Sequence, residues 1–456
     1  MKKLQFSTAV LLSLVFFSSC TTEKIENTVV IGGGLMGSAT AWHLVNANID
    51  VLVIEQQDSI YTYGSSLGTA RIARSSNRSN NMWSYLHNRT VAEAEKLISF
   101  LNEGQEAVKY SMDDIYNTTP ANYVGLSRIF DQLVGSFKTQ KVDGKLATTP
   151  QEGEDLFNIQ IPEGVLYHRE YNPHTGTINP KQLISHLHTG IRKKHGRVLY
   201  SHRVESLVEK DGLFEITVTD LKTEEIKTIK SRKVVSAAGP YTGSLLKDVA
   251  PYFQVLITPQ RVFISFFKVE SEVWNNYSKD QKKQVFDGYP VINSSAGTRK
   301  GSFFSMIEYI DTDGIPVIKI GGHHQRSDIT DLDSVWKQDV SEEEIAWSRR
   351  NTLNYFDMLN VPLDSTSLNY IDGYSCVYSL TKTEVPYVTS IKDSNGNENK
   401  NLVVVGGMSG GGAKGTMAYG LIAAHLLLNH SESDQQYQEA RKALGYDRLI
   451  RDLKSD

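Results

Sequence analysis

A short run of apolar residues, Thr28-Val-Val-Ile31, breaks into Gly32, Gly34 and Gly37, and the chain then continues in helix-forming residues from Ser38 to Val45. Few folds accommodate that junction. The β-branched run suits a buried parallel strand. In G-x-G-x-x-G spacing each glycine has its own part: Gly32 allows a tight turn, Gly34 lets the backbone approach a pyrophosphate, and Gly37 lets the helix lie close on the strand. Free N–H groups and the helix dipole then favour the negative charge of the phosphates. A second apolar strand, Val51-Leu-Val-Ile54, ends in Glu55, 18 residues beyond Gly37 and close to where a ribose-binding acid is expected. An acid there suits a ribose with a free 2′-hydroxyl and disfavours NADP. It does not separate FAD from NAD.

Upstream, Met1-Lys2-Lys3 is basic, Phe6 to Phe17 is apolar, and Ser18-Ser19-Cys20 follows. The apolar run is too short to anchor a chain across a bilayer, and the layout is that of a secretory leader. Small residues ahead of a cysteine resemble a bacterial lipoprotein signal. The expectation is a signal peptide over 1–19, lipidation at Cys20, a polar tether over 20–27, and a cell-envelope location in which the membrane is met through the lipid alone. The remainder is long enough for one large or two modest domains. Losing the leader takes the net charge from −4 to about −6, and no basic stripe alternates with aromatics, so nucleic acid is not an expected partner. The chain has two cysteines; with Cys20 lipidated, no intrachain disulfide can form and Cys376 is a lone thiol.

Further along, Gly64 to Ser75 is rich in glycine and serine and carries Arg71 and Arg74, which suit either an anion site or a solvated loop. Trp83 to Leu101 reads as a surface helix, and 115–175 as short strands and turns. His186, His188 and His195 punctuate a helix from Lys181 to Lys194; lacking acidic or cysteine company, they read as surface histidines, and no metal site is expected. Strands are expected at Val198–Tyr200, Val204–Val208, Leu213–Val218 and Lys233–Pro240. Pro259–Val269 and Gly301–His323 also read as strands, with Trp274–Gln284 looped between them. Lys319 lies inside an apolar strand, as a snorkelling edge residue or a buried functional cation. A helix is expected over Ser341–Leu359. Leu402-Val-Val-Val405 runs into a second glycine-rich turn, Gly406 to Lys414, and a helix, Thr416–Leu428. Lys414 follows alanine rather than glycine, so this is no Walker loop; a second helix N-terminus facing the same cofactor is the expectation.

Together these pieces resemble the monomeric sarcosine oxidase and N-methyltryptophan oxidase branch of the D-amino-acid-oxidase-like flavoproteins, over nearly everything after Ile25. Gly32, Gly34, Gly37 and Glu55 match the FAD fingerprint. Gly68-Thr-Ala-Arg71-Ile-Ala-Arg74 is similar to the segment carrying a flavin-facing arginine and a substrate-binding arginine. Ile318-Lys319-Ile-Gly-Gly-His323 matches the strand whose lysine activates oxygen and whose histidine lines the substrate pocket. Gly373-Tyr-Ser-Cys376 matches the site of a covalent cysteine–flavin bond. Ser409-Gly-Gly-Gly-Ala-Lys414, with Gly410 and Gly412, matches the glycine turn whose lysine meets a substrate carboxylate. Departures concern the substrate: small residues and Leu67 occupy Ser65–Ala70, where the sarcosine branch has histidines and an acid.

The resemblance implies an α/β chain with a Rossmann-type FAD domain assembled from 28–115, 176–255 and 371–456, and a mostly antiparallel substrate domain from 116–175 and 256–370. It implies FAD, covalent through Cys376, and oxidation of a secondary amine, an N-alkyl amino acid, with oxygen as acceptor. In that reading Lys319, Arg71 and His323 are catalytic, while Arg74 and Lys414 bind substrate. Two alternatives accompany it: a dehydrogenase on the same fold that passes electrons to a quinone or carrier, and a flavin-free binding lipoprotein.

Overall fold

The computed structural model describes residues 24–455 apart from 60, 62, 77–80, 127–141, 295–301, 325–326, 330 and 337. The expected signal peptide and Cys20 lie outside these residues.

Valine and isoleucine runs build the first sheet, of eight strands. Ile25–Ile31 lies parallel between Ile226–Ser236 and Val51–Ile54, and Arg197–Leu199 adds a further parallel strand. Ile226–Ser236 forks. Its last residues pair parallel with Glu398–Gly406, while its first pair antiparallel with Leu213–Asp220. Both faces of the sheet are covered, which explains the unbroken apolar run: Val30 and Val53 pack with Trp42 and Ile422 on one side, Val29 and Ile31 with Phe253 and Tyr387 on the other. Each such fully buried side chain stabilises the fold by about 1.5–3 kcal/mol. The helix Leu35–Asn46 packs against Pro180–Lys193 and Thr416–Leu428. Contact with the latter is close because a Cβ on Gly420 would lie 2.6 Å from the Ala39 carbonyl carbon.

The second sheet has nine strands. Thr258–Val269 lies antiparallel between Pro316–Gly322 and Leu368–Leu380. Pro316–Gly322 pairs onward with Phe303–Ile310, then Val291–Ser294, which meets Ala121–Leu126 in parallel. Its core joins Phe263 and Phe267 to Trp347 and Phe356 of the helix Glu342–Met358. A three-stranded sheet of Arg71–Ala73, Gly176–Ile178 and Tyr116–Thr118 holds the arginine segment. The expected α/β architecture, a parallel sheet beside a mixed and mostly antiparallel one, is what the chain adopts.

Several local expectations are corrected. The first strand begins at Ile25, inside the stretch read as tether. Trp274–Gln284 is not a loop: Ser271–Asn276 and Lys279–Gly288 are helical, the second started by a Ser278/Gln281 capping box whose signature was present in the sequence. Pro150–Phe157 is a helix started by the Thr149 side chain. The boundary at 371 falls within Leu368–Leu380, a strand of the second sheet. His186 and His188 are buried rather than on the surface. His188 links Ser38 Oγ (2.8 Å) to the Tyr200 hydroxyl (2.6 Å), and burial, then Arg192, pushes its pKa down to about 3. Among the described residues no cluster of three or more histidine, cysteine or acidic side chains is arranged to hold a metal, and no helix is long and apolar enough to cross a membrane.

Candidate active site

The glycine turn is built on close approach. Gly32 has φ +97°, and a Cβ there would lie 2.4 Å from the Ala237 carbonyl oxygen. A Cβ on Gly37 would fall 1.8 Å from the Gly32 carbonyl oxygen, so only glycine lets the helix start against the strand end. Glu55 stands behind the turn and accepts hydrogen bonds from Gly33 N (2.6 Å) and Gln57 N (2.8 Å). Burial raises its pKa against those bonds. Gly34, the helix N-cap, has no capping side chain of its own; the first turn is open toward a cavity, where Leu35 N donates to Ser66 Oγ at 3.3 Å.

The second glycine turn faces the first. Ser409 (φ +48°) and Gly410 (φ +81°) turn the chain, pinned by Ser409 N donating to Ser379 O at 2.9 Å. A Cβ on Gly410 would press within 2.8 Å of the Tyr378 ring, and one on Gly412 would lie 3.5 Å from Met36 Cε. Two helix starts therefore converge on one space.

That space is a cavity of about 560 Å³, with Gly34, Arg71, Arg74, Lys319, His323, Cys376, Gly410, Gly412 and Lys414 on its wall. Gly32, Gly37 and Glu55 lie behind it and shape the turn. Residues far apart in sequence are thus brought to one place, in three groups.

The first group surrounds Lys319. Its strand has partners on both sides, which excludes the edge reading, and the residue is fully buried. Nζ donates to Glu308 Oε2 (2.8 Å) and Ala70 O (3.1 Å). Burial first, then Arg71, lowers the Lys319 pKa to about 8, against the pull of Glu308. Arg71 is held by loop carbonyls, donating to Ala70 O at 2.8 Å and to Leu67 O. Cys376 is a buried free thiol; burial pushes its pKa up while Arg71 acts in the opposite sense.

The second group is cationic. Arg74 is buried, donates to Ser76 O at 2.8 Å and lies 4.5 Å over the Tyr123 ring. Lys414 Nζ sits 5.1 Å from the Trp83 ring centre, and no described residue accepts a hydrogen bond from it. Burial, then Arg74, pushes its pKa well down. Close by, Glu170 is fully buried and accepts from Ser75 N (2.7 Å) and Ser76 N (2.9 Å), fixing the backbone beside Arg74. His87 is held neutral by burial, then Lys414 and Arg74, with its pKa lowered to about 3. The third group is His323, whose backbone N–H donates to Ser302 O at 2.9 Å and whose ring lies 6.2 Å from that of Tyr378.

Sequence reasoning missed Glu308, Glu170, Trp83 and Tyr123. Glu308 left a faint signal: it is one of few charges in an apolar strand, across a turn at Asp311–Gly314 from Lys319. Trp83 and Tyr123 left none, because aromatic residues on a helix or strand read as core.

A flavin dinucleotide fits these residues. Two open helix starts suit its pyrophosphate, the glycines leave the volume that side chains would fill, and the cavity lies in the range of ligand sites. The chain matches the family described as DAO, FAD dependent oxidoreductase, over residues 27–426. It is 22 % identical over 307 residues to the monomeric sarcosine oxidase of Bacillus sp. (strain NS-129), covering 63 % of this chain and 71 % of that one. Among solved structures, L-proline dehydrogenase from P. horikoshii superposes with a TM-score of 0.65 at 17 % identity, covering 92 % of this chain and 99 % of that one. The open form of NikD, an unusual amino acid oxidase essential for nikkomycin biosynthesis, gives 0.65 at 16 % identity, covering 92 % and 97 %. With the family matched across most of its length, this chain belongs to the DAO family of FAD-dependent oxidoreductases.

Proposed function

We propose that the protein oxidises the C–N bond of a secondary amine bearing a carboxylate, an N-alkyl amino acid, to an imine, with oxygen reduced to hydrogen peroxide. The observation that carries this reading is the pair of cations, Arg74 and Lys414, on the same cavity as Lys319 and Cys376. Lys414 has no acceptor among the described residues, and a substrate carboxylate would supply one. FAD, when bound, would supply the acceptor for the hydride leaving the carbon beside nitrogen, and hydrolysis of the imine would give a primary amine and a carbonyl compound. The protein's part is placement and charge. Arg74 and Lys414 hold the carboxylate so that the reacting C–H bond is presented in one orientation. The same cations disfavour an ammonium beside them and so favour the neutral amine that can lose hydride. Lys319 stabilises the negative charge that develops on oxygen as it takes up electrons, Arg71 carries its charge against the cofactor, and His323 shapes the pocket.

A panel of N-methyl amino acids mixed anaerobically with the protein tests this, because flavin bleaching requires no particular acceptor. Bleaching by none of them, with bleaching by a 2-hydroxy acid instead, overturns the amine assignment. A dehydrogenase passing electrons to a quinone or carrier is the second reading, favoured by the Lys319–Glu308 ion pair. A flavin-free binding protein would purify colourless. The lipoprotein reading has its own test: Cys20→Ala should move the protein from the membrane to the soluble fraction.

A further inference from the structure

Glu308 belongs to none of the roles assigned so far. It lies in Phe303–Ile310, whose register against Pro316–Gly322 slips between Ile307 and Tyr309, leaving Glu308 as the extra residue of a bulge. Bulges re-aim side chains, and this one delivers a carboxylate, 6 % exposed, to within 2.8 Å of the Lys319 ammonium, 1 % exposed. The second carboxylate oxygen accepts from Thr69 N (2.6 Å) and Thr69 Oγ1 (3.0 Å). The arginine segment makes room for the pair: a Cβ on Gly68 would lie 2.9 Å from Glu308 Oε1 and 3.2 Å from Lys319 Nζ. Three separate segments are thus fitted around one ion pair.

We infer that Glu308 is the counter-ion of Lys319, a positioning residue that keeps the lysine protonated while cancelling much of the positive field it casts into the cavity. The charged and titratable groups facing Lys319 are Arg71, Glu308 and Cys376. Of these only Glu308 is anionic at neutral pH; the Cys376 thiol is held protonated by burial. Two consequences follow from Coulomb's law. Without Glu308, Lys319 loses its proton at lower pH. Below that pH the unpaired lysine attracts an anion more strongly than the pair does. What the field acts on rests on the flavin reading above; the pairing itself does not.

Glu308→Gln keeps an acceptor for Thr69 N while removing the charge. Sulfite, an anion that bleaches flavins, is titrated against native protein, Glu308→Gln, Lys319→Met and the double variant at each pH from acid to alkaline, so that the protonation of sulfite cancels between proteins. In parallel, acetylation of Lys319 by acetic anhydride, read by mass spectrometry against pH, follows the amine directly. The expected result is sulfite binding at least about tenfold tighter in Glu308→Gln at acid pH, lost at lower pH than in native protein. The Lys319 titration should move down by at least about one pH unit. Lys319→Met should bind sulfite more weakly than the double variant wherever its unpaired Glu308 is ionised, because that carboxylate repels the anion, and removal of both charges should preserve folding if the single change does not. An unchanged Lys319 titration in Glu308→Gln overturns the inference. So does an unchanged sulfite profile in a protein that does bleach. A protein that bleaches in no variant refutes the flavin reading instead, and the acetylation profile still decides the ion pair.

Discussion

Gly37 and Gly34 lie three residues apart in one turn, yet replacing them should damage different things. A Cβ on Gly37 would sit 1.8 Å from the Gly32 carbonyl oxygen, roughly 1.5 Å inside ordinary van der Waals contact. The strand cannot yield easily: Gly32 N donates to Ile54 O and Ala237 N to Ile31 O, both at 2.8 Å. The helix cannot retreat, because Gly420 already lies against Ala39. Gly37→Ala therefore combines an overpacking cost of about 1–3 kcal/mol with loss of about one hydrogen bond, about 0.5–1.5 kcal/mol, or about 1.5–4.5 kcal/mol in all. Gly34 differs. Its φ of −68° is open to any residue, its Cβ would meet only the Ser66 side chain, with the hydroxyl at 3.1 Å, and the added atoms would enter the cavity. Gly34→Val should fold with a urea midpoint close to that of cofactor-free native protein and hold no flavin. Gly37→Ala should lose stability whether or not flavin is retained. Urea unfolding followed by circular dichroism, together with flavin content from visible absorbance, separates the two. A Gly37→Ala midpoint equal to native, or full flavin occupancy in Gly34→Val, would refute the argument from close approach.

Cys376→Ser should release flavin into the supernatant on acid precipitation, whereas native protein should stay yellow; free flavin from native protein would make Cys376 a packing residue. Lys319→Met should slow reoxidation by oxygen far more than reduction by substrate, since the negative charge develops only in the oxygen step; equal loss in both, measured by stopped flow, removes that role. Burial, then Arg71, holds the folded-state pKa of Lys319 near 8, below its ordinary 10.5. The unfolded chain therefore binds the extra proton between those values, and this residue makes stability rise with pH across that window; the rise should vanish in Lys319→Met. Losing Arg74 or Lys414 should weaken binding of a carboxylated amine by about 1.5–3 kcal/mol, the double variant losing less than the sum because both share one partner. Additive losses, or equal losses on an amine without a carboxylate, would rule out a shared clamp.

What the sequence disclosed follows from how local each signal is. The strand, glycines and terminal acid lie within thirty residues of one another, and steric demands at Gly32 and Gly37 are nearly independent of the rest, so the parallel sheet was legible. The helix Thr416–Leu428 was placed to the residue because a glycine turn opens it and a left-handed Asn429 closes it. The Ser278 capping box is equally local, but the helix it starts is polar, with few apolar residues to set a period. The boundary expected at 371 lies inside one continuous strand: Leu368–Leu380 runs on toward the glycine turns, and only pairing with Thr258–Val269 assigns it to the second sheet. The burial of His188 leaves no local signal, because its partners, Ser38 and Tyr200, come from other elements. Glu308 needed a bulge to reach Lys319, and only Tyr309 and Ile310 of its strand lie beyond the slip, too few to show the break in alternation that a one-residue slip makes.

The fork in Ile226–Ser236 has a consequence for the birth of the protein. Its last residues accept Glu398–Gly406 as a parallel neighbour, so the sheet begun at Ile25 stays unfinished until Glu398–Gly406 has left the ribosome. Pairings spread so far along the chain fold slowly, and until they close, valine-rich edges stand open to wrong neighbours. The cavity shares that schedule, since its wall runs from Gly34 to Lys414. A partly made chain has no place to keep the cofactor, and a chain threaded unfolded across a membrane would have to acquire it on the far side.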